Sequence, residues 1–189
     1  MDFRNDEGTY TNLDLYAQRL SPEGVSLWSP EGAPLAVVPE IQQTPRLIPG
    51  RSGAALVVWT DARDVYEDLY VQRLTPDGIS GEPNGRPLCR AGGRQREPAI
   101  AYDGRTFWVV WYDYRREYDE ETYQDLYVQR LDARGNYLEA VEGVPFWTEP
   151  GQRTGLVLRA QAGVAVVAWT EIRGSESDVF AARIEATEP

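Results

Sequence analysis

The sequence predicts an all-β protein built from repeats, and three observations carry this prediction. A seven-residue motif, Asp-Leu-Tyr-x-Gln-Arg-Leu, recurs at residues 14–20, 68–74 and 125–131, and a degenerate fourth copy occupies residues 178–184. The copies begin 54, 57 and 53 residues apart, and self-similarity at such a period is typical of repeat architectures. Short runs rich in β-branched and aromatic residues favour strands, and no apolar pattern of helical period reaches a useful length.

Each repeat predicts four short strands. The motif is one of them, with Leu69 and Val71 on one face and Tyr70 and Gln72 on the other, so that both faces carry apolar groups. A turn follows each full copy and has a glycine at its fourth position, as at Gly78. The remaining predicted strands lie around residues 34–38, 87–89 and 144–147, at residues 46–48, 99–102 and 155–158, and in the apolar runs 54–59, 107–111 and 164–169.

Four-stranded units that are apolar on both faces are typical of β-propeller blades. A two-sheet β-sandwich is the alternative, but its strands should bury one face and carry polar residues on the other. We therefore expect a propeller of four-stranded blades, with three full repeats and a partial blade at each end. Such a chain is a fragment of a longer array, a half-ring that a second copy completes as a homodimer, or a four-bladed ring closed on itself. In residue numbers, the prediction is one repeat domain over 1–189, with a partial blade at 1–13, repeats that start at about 14, 68 and 125, and a terminal strand at 178–186.

The composition argues against several classes of function. A net charge of −11 and a pI of about 4.5 make nucleic acid and anionic membranes poor partners. The sequence has no apolar run long enough for a transmembrane helix, and its first residues do not resemble a signal peptide. Cys89 is the single cysteine and histidine is absent, which excludes an internal disulfide, a zinc site with paired cysteines, and Ser–His or Cys–His nucleophile pairs.

The segments that precede the motifs extend the repeat and carry a family resemblance. Trp59-Thr60-Asp61-Ala62-Arg63, followed by the motif at 68–74, resembles a repeat of large bacterial secreted or surface proteins, with the pattern Trp-x-Asp-x-Arg, a short loop and Asp-Ile/Leu-Tyr-x-Gln-Arg-Leu/Val. Residues 111–115 and 169–173 begin two further matches, the last with Glu171 for Asp and Ala182 for Gln. The resemblance covers nearly the whole chain and implies β-propeller blades of extracellular proteins without an assigned activity.

An Asp-x-Arg pair and the aspartate that opens the next motif recur together in each repeat. Residues two apart in a strand share a face, and an arginine flanked by carboxylates across a hairpin loop can form bidentate bonds. We interpret these groups as structural ion pairs. A repeated metal site is the alternative, but an arginine in its middle opposes a cation. The residues are Asp61, Arg63 and Asp68, then Asp113, Arg115 and Asp125, then Glu171, Arg173 and Asp178.

The loop at residues 112–124 is the candidate binding site, because it is five residues longer than its counterpart before Asp68. A loop that outgrows its siblings on a rigid scaffold favours recognition, and exposed tyrosine and arginine anchor interfaces well. Three consecutive carboxylates in it could bind Ca²⁺, but they lack EF-hand spacing, and we expect no resident cofactor. The candidate residues are Tyr112, Tyr114, Arg116, Tyr118, Asp119, Glu120, Glu121 and Tyr123.

The sequence contains no recognisable catalytic motif. We expect a non-enzymatic binding or scaffold module of an extracellular or cell-surface protein, which binds a protein or glycan through its rim loops. Export would then depend on a longer precursor. One alternative is a part of a carboxylate-based glycoside hydrolase or lyase propeller. Another is a purely structural, self-assembling repeat.

Overall fold

The computed structural model describes residues 2, 4, 8, 12–116 and 124–186. In these residues the fold is all-β, as the sequence predicts, with fourteen strands and no helix that could span a membrane. The strands are β1 (Leu15–Ala17), β2 (Ala33–Ala36), β3 (Gln42–Pro49), β4 (Ala55–Asp61), β5 (Asp68–Thr75), β6 (Gly78–Ser80), β7 (Arg86–Cys89), β8 (Gln95–Tyr102), β9 (Phe107–Asp113), β10 (Asp125–Leu131), β11 (Val144–Trp147), β12 (Gln152–Gln161), β13 (Val164–Arg173) and β14 (Glu176–Glu185).

The strands form four antiparallel sheets that follow one another along the chain. The first sheet pairs β1 with β2, and the third has the order β8-β9-β10-β11. The second has the order β3-β4-β5, and both β6 and β7 pair with the edge of β5 that faces away from β4, which we call its outer side. The fourth sheet has the order β12-β13-β14. The motif strands are therefore β1, β5, β10 and β14, and the sequence analysis did not predict β6.

Three hydrophobic clusters join consecutive sheets. Because successive side chains of a strand point to opposite faces, β9 contributes to two of these clusters. Its residues Val109 and Trp111 pack against the second sheet, and Val110 and Tyr112 pack against the fourth. The predicted burial of both faces therefore holds for the third sheet, and its continuous apolar run is explained by a neighbour on either side.

The outermost strand of the third sheet begins with a glycine at a crowded position. Glu142 and Gly143 both have positive φ, of 69° and 75°, which turns the chain into β11. A Cβ atom on Gly143 would lie 2.3 Å from Cη2 of Trp111. Gly85 before β7 approaches Trp59 in the same way. Gly143 therefore allows the chain that leads into β11 to pack directly against Trp111 of β9.

Gly143→Ala tests this close approach, and Gly104→Ala is its matched control. Both glycines have positive φ, but nothing lies within 4 Å of a Cβ atom at Gly104. The free energy of unfolding of the control should fall only by the cost of placing alanine in the left-handed region, about 1–2 kcal/mol. Gly143→Ala should lose about 1–3 kcal/mol more, because an overpacked core must also shift. Urea unfolding measures both losses, and equal losses would contradict the contact with Trp111.

Candidate functional site

The predicted ion pairs lie at one end of the sheets, where they close a network around a buried carboxylate. In the second sheet, Arg63 donates from Nε to Oδ1 of Asp61 at 2.8 Å and from Nη2 to Oδ2 at 2.5 Å. Trp59 donates its indole N–H to Oδ2 of the same aspartate at 2.8 Å. Asp61 is fully buried, so that these charged and polar donors replace the water that it has lost.

The third sheet repeats the network with the same geometry. Arg115 bonds both oxygens of Asp113 at 2.8 and 2.7 Å, and Trp111 donates to Asp113 at 2.9 Å. The guanidinium of Arg115 also stacks 3.9 Å from the ring centroid of Tyr127 and donates to the carbonyl oxygen of Glu142 at 2.9 Å. One arginine therefore connects β9, the motif strand β10 and the turn before β11.

The aspartates that open the motifs in β5 and β10 lie beside a different arginine from the one predicted from the sequence. Asp68 lies 3.7 Å from Nε of Arg90. Asp125 accepts two bonds of 2.5 Å from Arg116. In the fourth sheet Arg173 bonds Glu171, whereas Asp178 is exposed. The reason is that Arg63 and Arg115 bond both oxygens of the preceding aspartate and turn toward the outer strand.

The loop at 112–124 differs from the predicted binding loop in the residues that the structure describes. Tyr112 belongs to β9 and is buried, because its position in the strand points it at the fourth sheet. Tyr114 packs against the same cluster and its hydroxyl accepts a bond of 2.9 Å from Gln124. Arg116 is held by Asp125. The other candidates lie outside the described residues: Tyr118, Asp119, Glu120, Glu121 and Tyr123.

The candidate calcium ligands Asp119, Glu120 and Glu121 therefore have no described geometry. Among the residues that the structure does describe, no group of three or more aspartate, glutamate or cysteine side chains could hold a metal ion. Burial also raises the pKa of the Cys89 thiol to about 12, so that its reactive thiolate is scarce at neutral pH.

A cleft of about 990 Å³ opens between the second and third sheets, at the same end as the ion pairs. Two loops form its walls, 62–67 between β4 and β5 and 90–94 between β7 and β8. The first loop presents Val65 and the half-exposed Tyr66. The second presents Arg90, which bonds Asp64 at 2.8 Å. The lining residues are Glu40, Ala62, Arg63, Asp64, Val65, Tyr66, Glu67, Asp68, Arg90, Ala91, Gly92, Arg94 and Arg96.

Hydrogen bonds fix the two walls to the sheets. The backbone N–H of Gln95 donates to the carbonyl oxygen of Glu67 at 2.7 Å, which ties the first loop to β8. The carboxylate of Glu67 accepts a bond from Gln43 at 2.9 Å and pairs with Arg96. Gly93 has a φ of 76°, and a Cβ atom there would lie 2.4 Å from the carbonyl oxygen of Tyr114. The cleft is therefore a preformed feature.

The charge of the cleft differs from that of the whole molecule. Its lining contains four arginines and four carboxylates, whereas the chain carries a net charge of −11. Burial, with the charge of Asp64 as the next cause, raises the pKa of Asp68 to about 7. The cleft is thus a locally neutral, arginine-rich surface that gains positive charge when Asp68 is protonated.

This cleft was not predicted from the sequence. The signal was the run Arg90-Ala91-Gly92-Gly93-Arg94-Gln95-Arg96, which combines three arginines with two glycines and has no counterpart in the other repeats. The other wall, loop 62–67, lies earlier in the chain, and only the packing of adjacent sheets brings the two together.

Comparisons with solved structures include a likeness of low similarity. No protein-family model and no curated protein matches this sequence. A sialidase of Trypanosoma rangeli, solved in complex with 2,3-difluorosialic acid as a covalent intermediate, aligns with a TM-score of 0.39 at 10% sequence identity. The alignment covers 93% of this chain and 35% of the sialidase chain, so that this chain spans about a third of that structure.

Arg115→Ala should destabilise the protein by about 1–3 kcal/mol, because it leaves the buried Asp113 without its charged partner. The matched variant is Arg173→Ala. It should cost less than about 1 kcal/mol, since Arg173 is largely exposed and Glu171 keeps Arg153 at 3.2 Å. Thermal and urea unfolding of both variants provide the measurement. An unchanged melt for Arg115→Ala would show that the network does not stabilise the fold.

Asp68→Asn should change how stability depends on pH. A carboxyl with a raised pKa binds its proton more tightly in the folded state, so that the contribution of Asp68 to stability falls as pH rises from about 4 to about 7. Asparagine removes this dependence, and the variant should gain on the order of 2 kcal/mol relative to wild type between pH 5 and pH 8. Urea unfolding at both pH values measures the gain. The exposed Asp77→Asn serves as control, and a gain of the same size in the control would disprove the assignment to Asp68.

Proposed function

We propose that this chain is part of a β-propeller and acts as a non-enzymatic binding module, whose ligand occupies the cleft between loops 62–67 and 90–94. The observation that supports this proposal best is the cleft itself. Its volume of about 990 Å³ lies at the upper end of the range for small-molecule sites, which suits a few sugar units or a short peptide segment.

The arrangement of the sheets supports the propeller part of the proposal. In the second and third sheets the chain moves outward strand by strand, from β3 to β7 and from β8 to β11, and then returns to the inner strand of the next sheet. Each sheet packs face to face on the next through one hydrophobic cluster. Propeller blades follow this order around their axis. The extracellular or cell-surface setting rests on the resemblance of the repeat motifs.

The side chains of the cleft support binding by preformed anchors. Tyr66 is 47% exposed, and the Arg90 side chain is 48% exposed, on loops that hydrogen bonds hold in place. Tyrosine and arginine are the residue types that most often dominate binding energy. Because the rest of the surface is acidic, a ligand with carboxylate groups meets less repulsion here than elsewhere. We therefore favour an acidic glycan or acidic peptide as ligand.

Hydrolysis of a glycan is the second candidate function, and the position of Asp68 favours it. A carboxyl group that still holds its proton near neutral pH is what a general acid requires, and Asp68 lines the cleft beside Asp64. Both functions place the ligand against the same residues. They differ in whether the ligand leaves unchanged.

Arrays of acidic and neutral glycans and of acidic peptides, probed with the purified chain, test the proposal. Binding to an acidic probe should weaken at least tenfold in Tyr66→Ala and in Arg90→Ala, while the melting temperature changes little. Arg183→Ala is the matched control, because it removes an exposed arginine on β14, away from the cleft. Chromatography of the bound glycan then distinguishes the two functions. If the wild-type chain hydrolyses the glycan and Asp68→Asn does not, the function is catalysis and not binding alone. Equal binding by all variants would show that the cleft is not the binding site.

A further inference from the structure

A small cavity of about 90 Å³ lies between the second and third sheets, at the opposite end of β5 from the cleft. Asp68 begins β5 and lines the cleft, whereas Gln72 and Arg73 lie near the end of the strand and line the cavity. The turn at residues 132–135 of the third sheet forms its other side. Since a water molecule takes up about 30 Å³, the cavity has room for about three waters. Its volume suits a small ion.

The cavity exists because the second sheet has a glycine where the first sheet has a tryptophan. The connections to the two outer strands align at Gly32 and Gly85, each of which donates its backbone N–H to the carbonyl oxygen three residues before it. This alignment places Gly81 at the position of Trp28. Trp28 reaches the turn of the next sheet and donates its indole N–H to the carbonyl oxygen of Pro76 at 3.0 Å. Gly81 has no side chain that could fill the equivalent space.

Three arginines line the cavity, namely Arg73, Arg86 and Arg134. In the part of the chain that the structure describes, none of the three forms an ion pair with a carboxylate. Glu82 is the one carboxylate among the described residues of the lining. The chain has thirty carboxylates for nineteen basic residues, so that ion pairing could have occupied every arginine. Three unpaired arginines around one cavity therefore favour an anion from outside the chain.

Backbone carbonyls and an aromatic ring hold two of these arginines in place. Arg73 donates from Nε to the carbonyl oxygen of Ala133 at 3.2 Å, and Arg86 donates to the carbonyl oxygen of Gly135. The guanidinium of Arg86 also stacks 4.1 Å from the ring centroid of Tyr137. A guanidinium has five N–H donors, so that both arginines keep donors for a ligand. Because these side chains are held in advance, an anion that binds them costs little side-chain entropy.

A buried amide adds a polar group to the wall of the cavity. Gln72 is 3% exposed and donates to the carbonyl oxygen of Ser80 at 3.3 Å. In the third sheet the equivalent Gln129 also accepts, at its Oε1, the backbone N–H of Glu139 at 3.0 Å. Gly81 stands at the position of Glu139 and makes no such bond to Gln72. The lining thus combines three guanidinium groups with an amide that is less engaged than its counterpart.

We propose that this cavity binds a tetrahedral oxyanion, a sulfate or phosphate group, against Arg73, Arg86 and Arg134. Planar guanidinium groups bind such oxyanions through paired, charge-assisted hydrogen bonds. A doubly charged anion offsets the excess positive charge of the lining, where three arginines meet one carboxylate. It also connects the second sheet to the turn at 132–135, as Trp28 connects the first sheet to the second. The group is either a free ion or an ester on a larger ligand.

Isothermal titration calorimetry of the full chain with inorganic sulfate and inorganic phosphate tests the proposal, at an ionic strength held constant with chloride. Both anions should bind saturably. Arg134→Gln should weaken binding at least fivefold, because it removes a charge-assisted hydrogen bond, and Arg73→Gln should do the same. Glu82→Gln should strengthen binding several-fold, since it removes a negative charge from the lining.

Arg105→Gln is the matched control for Arg134→Gln. Both arginines are exposed turn residues whose backbone N–H donates to the aspartate of the turn at 2.8 Å, but Arg105 does not line the cavity. The control should bind both anions like wild type. Glucose 6-phosphate and galactose 6-sulfate then identify the source of the group. Tighter binding of the esters than of the inorganic anions indicates a larger ligand, and weaker binding indicates a free ion.

Three results would overturn the proposal. The first is no saturable binding of either inorganic anion, and the second is wild-type affinity in both Arg134→Gln and Arg73→Gln. The third is an equal loss in Arg105→Gln, which would indicate a general effect of charge. Tyr66→Ala and Arg90→Ala should bind both anions like wild type, because these residues line the cleft and not the cavity. The two proposed sites can therefore fail independently of each other.

Discussion

The bond between a buried aspartate and its arginine is the interaction on which the rest of the structure depends. Asp61 and Asp113 have no exposed surface, and a carboxylate without water or a cation could not stay charged there. The arginine that neutralises each one is fixed on three sides, by the carboxylate, by the face of a motif tyrosine and by the carbonyl before the outer strand. The same group therefore sets the distance between the apolar strand, the motif strand and the outer strand.

In the fourth sheet a second arginine takes part in this interaction. Gln42 and Gln95 begin the inner strands of the second and third sheets, and their amides bind carbonyl oxygens of the preceding loop. Arg153 replaces this glutamine, bonds the carbonyl of Gly151 and also lies 3.2 Å from Glu171. Glu171 thus has two arginines. Arg153 bonds it from the buried side, and Arg173 bonds it from the surface.

The sequence predicted the strands better than it predicted the site, and the reason is physical. Strands depend on side-chain patterns over a few residues, and the continuous apolar run ending at Trp111 is typical of a short strand that is buried on both faces. The cleft depends on two loops that meet only when adjacent sheets pack. The choice of Tyr112 as a binding residue was wrong because one step along β9 reverses the face, and Tyr112 points into the core. Loop length had favoured residues 112–124, but Arg116 there is engaged with Asp125.

Positions that the repeats share and positions that they do not share have different roles in this fold. The shared residues, such as Asp113, Arg115 and Gly143, are used up in bonds and close contacts within their own sheet. They have no capacity left for a ligand. The proposed recognition in the cleft then relies on residues that occur in one repeat alone, and Arg90 is of this kind. Arg90 places a charged group directly after β7, where Val37 and Thr148 follow the other two outer strands. The exceptions to the repeat, rather than the repeat itself, therefore form the cleft in which we propose that a ligand binds.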